Sequence, residues 1–158
     1  MPETAATRVH RFEVRPRPGM DDPKARAVER QARAIGIPVT SVRSARIYLI
    51  EGPLNTAQLA QVRDGLLADP VTEAAATGAT AADTGATTIE VHPLPGVMDP
   101  VAQSVREAIR DLIGIEPAVS TGLRFDLSGT TAQHASDLAN RVLANPVVHR
   151  VHNGPLIP

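Results

Sequence analysis

The sequence contains no cysteine and no tryptophan, and its only aromatic side chains are two phenylalanines and one tyrosine. The absence of cysteine excludes disulfides, thiolate metal sites and a cysteine nucleophile. With so few aromatic side chains the core must be aliphatic, and the stacking platforms that favour single-stranded nucleic acid are missing. The net charge of −1 gives no general attraction to nucleic acid or to anionic lipid. We therefore expect neither of these partners.

Long apolar runs and familiar catalytic motifs are also missing. No run of residues approaches the length of a membrane span, and residues 1–8 lack the apolar core of a signal peptide, so we expect a cytoplasmic protein. No phosphate-binding loop, dinucleotide-binding turn or nucleophile elbow occurs. The closest histidines, His149 and His152, are spaced so that a strand would place them on opposite faces. The sequence predicts no catalytic, cofactor-binding or metal-binding residue.

What the sequence does contain is an internal repeat. Residues 13–23 and 90–100 share the pattern E-V-x-P-x-P-G-x-x-D-P, with seven of eleven positions identical. Such self-similarity predicts a tandem duplication. In each copy, alternating apolar and charged residues predict a strand that ends at the prolines. The prolines and glycine are interpreted as a strand-to-helix turn, which we favour over a phosphate-binding nest.

Each turn leads into a predicted helix. Asp22 and Asp99 precede a proline, an arrangement typical of a helix N-cap, and we favour this role over a pair of catalytic carboxylates at Asp21 and Asp22. The helix in the second copy has an apolar stripe made by Val105, Ile109 and Leu112. A second strand, a second helix and a short closing strand follow in each copy. The closing strands are predicted to begin at Val71 and Val147.

The copies are predicted to span residues 9–76 and 88–152, with a short lead before them, a low-complexity linker at 77–87 and a tail at 153–158. Each copy is small for an independent aliphatic core and would leave open sheet edges. Packing the two copies together relieves both problems. We therefore predict an α+β protein with helices on one face of a sheet, in which two βαβαβ units form a pseudo-dimer.

Basic side chains are unevenly distributed between the copies. Residues 1–77 have a charge balance of +2 and the remainder a balance of −3. The predicted strands place Arg11, Arg15 and Arg17 on an outward face, with Arg43 and Arg46 on the second strand. A solvated surface and a partner that meets the two halves differently explain this distribution equally well.

The order of these motifs resembles the PurS family, the small subunit of phosphoribosylformylglycinamidine synthase. The resemblance rests on Val-x-Pro-x-x-Gly-x-x-Asp-Pro, on a helix that ends at Gly36, and on two later segments, Val42-Arg43-Ser44-Ala45-Arg46 and Leu67-Ala68-Asp69-Pro70-Val71. The tandem layout is similar to the PurS-dimer-like domain that begins large single-chain synthases. The resemblance implies a non-catalytic chain that docks a PurQ-type glutaminase on a PurL-type synthetase. It would help to enclose the ammonia path in ATP- and glutamine-dependent amidation during purine biosynthesis.

The two copies depart differently from the family pattern, which on the second strand is roughly Val-Arg-x-Gly-Lys. The first copy keeps basic residues at Arg43 and Arg46 but replaces the glycine, whereas the second keeps Gly122 and loses both basic residues. Arg43 and Arg46, together with Arg15 and Arg17, are therefore candidate partner contacts. The alternative function is a tandem regulatory module that senses an amino acid or nucleotide, because a fold does not determine function.

Overall fold

A computed structural model describes residues 7–158. The first six residues of the predicted lead lie outside this range, and the first strand already begins at Arg8. The first repeat consists of β1 (Arg8–Pro16), α1 (Pro23–Ala34), β2 (Ser41–Gly52), α2 (Thr56–Val62) and β3 (Glu73–Thr77). The second consists of β4 (Thr87–Pro93), α3 (Pro100–Ile113), β5 (Ala118–Ser128), α4 (Ala132–Leu138) and β6 (His149–His152).

All six strands form one antiparallel sheet in the order β3-β1-β2-β5-β4-β6. The two repeats meet where β2 pairs with β5, from Ser41 opposite Ser128 to Glu51 opposite Ala118. Within this ladder Arg46 faces Leu123, its own counterpart in the repeat. A pseudo-twofold axis therefore passes through this pair. The predicted α+β tandem pseudo-dimer is confirmed.

Local signals place the helix ends as the sequence predicts. Asp22 accepts a hydrogen bond from the Ala25 amide at 3.1 Å, and Asp99 accepts one from the Ala102 amide at 3.0 Å. These bonds satisfy amides that the first turn of a helix leaves free. After α1, Gly36 adopts a φ of 75°, a left-handed conformation that glycine reaches without steric cost.

The closing strands begin two residues later than predicted. The side chain of Asp69 accepts a hydrogen bond from the Val71 amide, and that of Asn145 accepts one from the Val147 amide. These Asx turns compete with strand pairing and leave the two valines 71% and 78% exposed. Upstream of each turn, α2 and α4 run on into π-helical turns, Arg63–Leu67 and Ala139–Leu143, which sequence periodicity did not indicate.

The long helices pack across the boundary between the repeats. α1, which belongs to the first repeat, joins a core with Ile89, Val91, Phe125 and Leu127 of the second. α3, which belongs to the second repeat, contributes Ile109 to a core with first-repeat residues. The first-repeat members of that core include Phe12, Val14, Tyr48 and Ile50. Each core therefore needs both halves of the chain.

The predicted buried stripe of α3 is wrong at one position. Leu112 is 43% exposed, whereas Ile113 packs against the core that contains Ile109. Residues four positions apart lie on the same face of a helix, so the buried stripe follows Val105, Ile109 and Ile113 and does not include Leu112. Within residues 7–158, no helix combines the length and the apolar character needed to cross a membrane.

Candidate functional site

Two clefts on the helix-bearing face of the sheet share several equivalent lining positions, but the second lies across the boundary between the repeats. The first cleft, of about 340 Å³, is lined by residues that include Val14, Pro16, Lys24, Ser44, Arg46 and Glu73. The second cleft, of about 270 Å³, is lined by their counterparts Val91, Pro93, Val101, Thr121, Leu123 and His149. Lys24 and Arg46 also reach the second cleft. The duplication has therefore produced two clefts in which several equivalent positions carry different side chains.

The repeated aspartates join each long helix to a central strand, and Asp22 also lines the first cleft. Besides capping α1, Asp22 accepts hydrogen bonds from the amide and the hydroxyl of Ser44, at 2.9 and 2.6 Å. Asp99 accepts the same two bonds from Thr121, with the amide at 2.9 Å. The capping prediction is confirmed, and the bond to the central strand is a second role that it missed. The sequence signal for this second role was a hydroxyl side chain, Ser44 or Thr121, at the same distance along the chain after each aspartate.

Arg46 lies in the first cleft and is held in place by hydrogen bonds. Its guanidinium donates two hydrogen bonds to Glu73, at 2.5 and 3.1 Å, and one each to the Tyr48 hydroxyl and the Leu67 carbonyl. The bond to Glu73 raises the pKa of Arg46, and the same bond lowers the pKa of Glu73. Arg46 thus ties β2 to the start of β3 as a fixed positive charge. At the pseudo-equivalent place the second repeat has Leu123 and His149.

The four predicted contact arginines do not lie together. Arg46 is on the helix-bearing face, whereas strand alternation places Arg15 and Arg43 on the opposite face. Arg15 is mostly buried and donates to Asp126 at 2.8 Å, and Arg43 forms an exposed 3.5 Å ion pair with Asp83. Arg17 is exposed in the turn after β1. Their role as partner contacts stays a prediction.

The face of the sheet away from the helices carries buried charges, and we call this surface the polar face. Arg11 donates to both carboxylate oxygens of Glu90, at 2.5 and 2.9 Å, and to Glu13 at 3.3 Å. Arg124 donates to Glu13 at 2.9 Å and to Asp126 at 3.0 Å. Since β1 and β4 are three strand spacings apart, about 14 Å, the side chains of Arg11 and Glu90 reach across β2 and β5.

The prediction that Arg11 lies on an outward surface is wrong, because its residue is only 3% exposed. Segments beyond the repeats cover the polar face. Thr80, in the predicted linker, donates its amide and hydroxyl to Glu13. Leu156, in the predicted tail, donates its amide to Glu90 at 3.2 Å and accepts from Arg11 at 3.0 Å. Strand alternation correctly predicted which side of the sheet Arg11 occupies. It could not show that the linker and the tail cover that side.

Glu13 and Glu90 are the glutamates of the repeated motif, and sequence reasoning gave them no role. Burial by itself would raise the pKa of Glu90, but hydrogen bonds from His92, Arg11 and the Leu156 amide outweigh it and lower the pKa to about 2. An ionised Glu90 is therefore part of the folded structure. The presence of a glutamate at the same position of both copies was the sequence signal that could have revealed this buried role.

The surroundings of Gly122 explain why the two repeats carry different residues at this position. A Cβ at this position would lie 2.4 Å from ring atoms of His92, so the ring occupies space that only glycine leaves open. His92 in turn bonds Glu90 at 2.8 Å and packs edge-on against His152 with ring centroids 5.4 Å apart. In the first repeat the counterpart of His92 is Arg15, and the counterpart of Gly122 is Ala45.

The histidines near the end of the chain make separate contacts. His149 accepts a hydrogen bond from the Asn145 amide at 3.0 Å, whereas His152 contacts His92. Across residues 7–158, the structure brings no group of three metal-ligating side chains together.

A comparison with protein families identifies the chain. The model of the PurS family, described as phosphoribosylformylglycinamidine (FGAM) synthase, matches twice, over residues 9–79 and 86–153. The two matches follow the two structural repeats and together cover most of the chain. A comparison with curated proteins finds no match. The chain therefore belongs to the PurS family, in a tandem two-unit form, and this membership implies a role in FGAM synthase in purine biosynthesis.

Proposed function

We propose that the chain is a non-catalytic bridge that docks a PurQ-type glutaminase on a PurL-type synthetase in the cytoplasm, and that it helps to enclose the path of ammonia. The PurS family works with other subunits of FGAM synthase. A bridge between two unlike subunits needs two attachment sites in a fixed relation. The observation that carries the proposal is that the two repeats share one continuous sheet but carry different side chains at equivalent cleft positions, Lys24 against Val101 and Arg46 against Leu123.

Covalent fusion makes this bridge independent of protein concentration. When two units are linked, their association becomes intramolecular, with an effective concentration on the order of mM for a short linker. The shared cores strengthen this argument, because α1 and α3 each bury side chains against the other repeat. A tandem chain of this kind presents both clefts at a constant separation even when it is scarce.

The test is reconstitution of FGAM synthase from purified synthetase and glutaminase, with and without this chain. We expect glutamine-dependent amidation to require the chain, while amidation supplied with free ammonia depends on it much less. The ammonia reaction is the internal control, because it reports an intact synthetase. Equal use of glutamine in the presence and absence of the chain would refute the bridging function.

A regulatory ligand-binding module is the second candidate function, and the volumes of the clefts support it. At about 340 and 270 Å³ the clefts are near the lower limit for small-molecule pockets. A ligand that binds only the folded state raises the melting temperature. A thermal-shift screen of amino acids, nucleotides and purine intermediates that gives no increase would exclude this candidate.

A further inference from the structure

We propose that the second cleft is an anion-binding site, and that its ligand is a carboxylate on a short aliphatic chain. The proposal goes beyond the bridging function and does not depend on it. A free carboxylic acid and the side chain of a glutamate or aspartate in a partner subunit share this chemistry. Binding experiments distinguish these two sources.

The two clefts share their basic side chains but not their carboxylates. Lys24 and Arg46 line both clefts. The acidic residues Asp21, Asp22 and Glu73 line only the first. In the part of the chain that the structure describes, the residues that line the second cleft include no aspartate and no glutamate. An anion in the second cleft would therefore meet positive charge with no carboxylate lining the same cavity.

Lys24 supplies a positive charge that no neighbouring carboxylate balances. It is exposed in the first turn of α1, and within residues 7–158 its side chain forms no ion pair and no hydrogen bond. Arg46, by contrast, is paired with Glu73, so much of its charge is already neutralised. The attraction of the second cleft for an anion therefore comes mainly from Lys24.

Arg46 and Tyr48 add hydrogen-bond donors at the cleft that the described residues leave unused. A guanidinium has five N–H donors, and Arg46 makes four hydrogen bonds, so one hydrogen on Nη1 is free. The Tyr48 hydroxyl accepts from Nε of Arg46 at 3.1 Å, and its own hydrogen has no acceptor within residues 7–158. Tyr48 is only 5% exposed. Leaving a buried donor unpaired costs free energy, which a ligand oxygen would recover.

His149 contributes a further donor, whose position on the ring is determined by a backbone contact. The Asn145 amide donates to Nδ1 of His149 at 3.0 Å, so a neutral ring carries its hydrogen on Nε2. Across the described residues this Nε2–H has no acceptor, and the ring lines the second cleft. The counterpart of His149 in the first repeat is Glu73. The second repeat therefore has a donor where the first has a carboxylate.

The rest of the lining indicates what the acid group is attached to. The apolar residues of the second cleft include Val91, Val101, Leu123 and Leu143, which suit an aliphatic chain. A volume of about 270 Å³ is smaller than typical pockets for drug-sized ligands, so the chain must be short. The ammonium group of a free amino acid would lose hydration without gaining a carboxylate partner. The cleft therefore favours a simple carboxylate over a zwitterion.

NMR titration of the whole chain with butyrate tests the site, and butyramide is the matched probe without charge. We expect butyrate to bind with a Kd on the order of mM, and butyramide to bind about tenfold more weakly or less, because hydrogen bonds to a charged group are stronger. Lys24 is the only lysine in the sequence, so isotope-labelled lysine gives one side-chain Cε resonance, which butyrate should shift. Equal binding of the two probes, or no binding of butyrate, would overturn the proposal.

Substitutions at Val101 separate the effect of charge from that of size. Val101 is 52% exposed and lines the second cleft but not the first. Val101→Glu should weaken butyrate binding about tenfold or more, whereas Val101→Gln, of similar size but uncharged, should change it less than about threefold. Tyr48→Phe removes one hydroxyl donor and should weaken binding about tenfold. Thermal unfolding checks that each variant is folded.

Met20→Glu is the control for the location of the ligand. Met20 is 46% exposed and lines only the first cleft, so the new carboxylate lies outside the proposed site. We expect butyrate affinity to fall much less than in Val101→Glu. Equal losses in the two variants would show that the anion does not occupy the second cleft.

Purified subunits of FGAM synthase then identify the source of the carboxylate. If a partner side chain fills the cleft, one subunit should displace butyrate, and Val101→Glu should weaken binding of that subunit. If the ligand is a free acid, butyrate and the subunits should bind together without competition. A chain that binds butyrate but neither subunit keeps the anion site and refutes the bridge. A chain that binds the subunits but not butyrate keeps the bridge and refutes the anion site.

Discussion

The shared cores predict that a substitution in the second repeat destabilises the first. Ile109 of α3 is fully buried among Phe12, Val14, Tyr48 and Ile50 of the first repeat. Ile109→Ala removes three carbon atoms from this core. At about 0.8 kcal/mol for each buried carbon, the transfer cost is about 2.4 kcal/mol, and the remaining cavity adds about 1 kcal/mol. We therefore expect a loss of about 3 to 4 kcal/mol in the free energy of unfolding.

Urea unfolding followed by circular dichroism measures this loss. For a domain of this size, 1 kcal/mol shifts the melting temperature by about 2–4 °C, so a loss of about 3 to 4 kcal/mol should lower it by about 6–16 °C. Leu112→Ala is the matched control, because Leu112 lies one turn further along the same helix and is 43% exposed. Its cost should stay below about 1 kcal/mol.

Hydrogen exchange tests where the destabilisation is felt. In Ile109→Ala, the amides of β1 and β2 should lose protection together with those of α3, because all three elements enclose the same cavity. Loss of protection confined to residues 87–152 would refute the shared core. So would equal costs for Ile109→Ala and Leu112→Ala.

Three further predictions concern the repeated motif and the polar face. The lowered pKa of Glu90 means that its contribution to stability is complete above its ordinary pKa of 4.5 and disappears as the pH falls towards 2. Acid titration of unfolding should therefore show a loss of about 2 to 3 kcal/mol over that range, and the loss should be smaller in Glu90→Gln. Asp99→Ala removes a helix cap and both bonds from Thr121, and should cost about 2 kcal/mol in urea unfolding. A cost near zero would contradict the role of Asp99 in joining α3 to β5. Gly122→Ala displaces the His92 ring and should cost about 1–3 kcal/mol, with a shift of the His92 ring resonances in NMR spectra; unchanged resonances would show that the ring does not need the space.

Most of the local structure could be predicted from the sequence, because it depends on neighbours in the chain. The Asp-Pro pairs determine where α1 and α3 begin, since a cap acts on amides two or three residues away. Alternation in β1 correctly separates Phe12 and Val14 from Arg11 and Glu13. The internal repeat predicted the pseudo-dimer, because two copies of one pattern form two copies of one unit.

The candidate site was only partly predictable. Arg46 was chosen from its basic charge, and the structure places it at both clefts, but sequence reasoning did not indicate Val101 and Leu123, which line the second. Val101 and Leu123 look like ordinary core residues in a helix and a strand. Their equivalence to Lys24 and Arg46 becomes informative only when the structure shows which of these residues line each cleft.

By itself, the sequence determined the duplication, the faces of the strands, the helix caps and the aliphatic character of the core. The tertiary structure decided which surfaces meet: α1 and α3 cover each other's repeats, and Arg11 reaches Glu90 across two strands beneath the segments that hold Thr80 and Leu156. The physical reason is the range of the forces involved. Periodicity and capping act within one turn or one strand, so they identify a face that must be buried. Which partner buries that face depends on contacts between residues far apart in the chain, and these exist only after the sheet has formed.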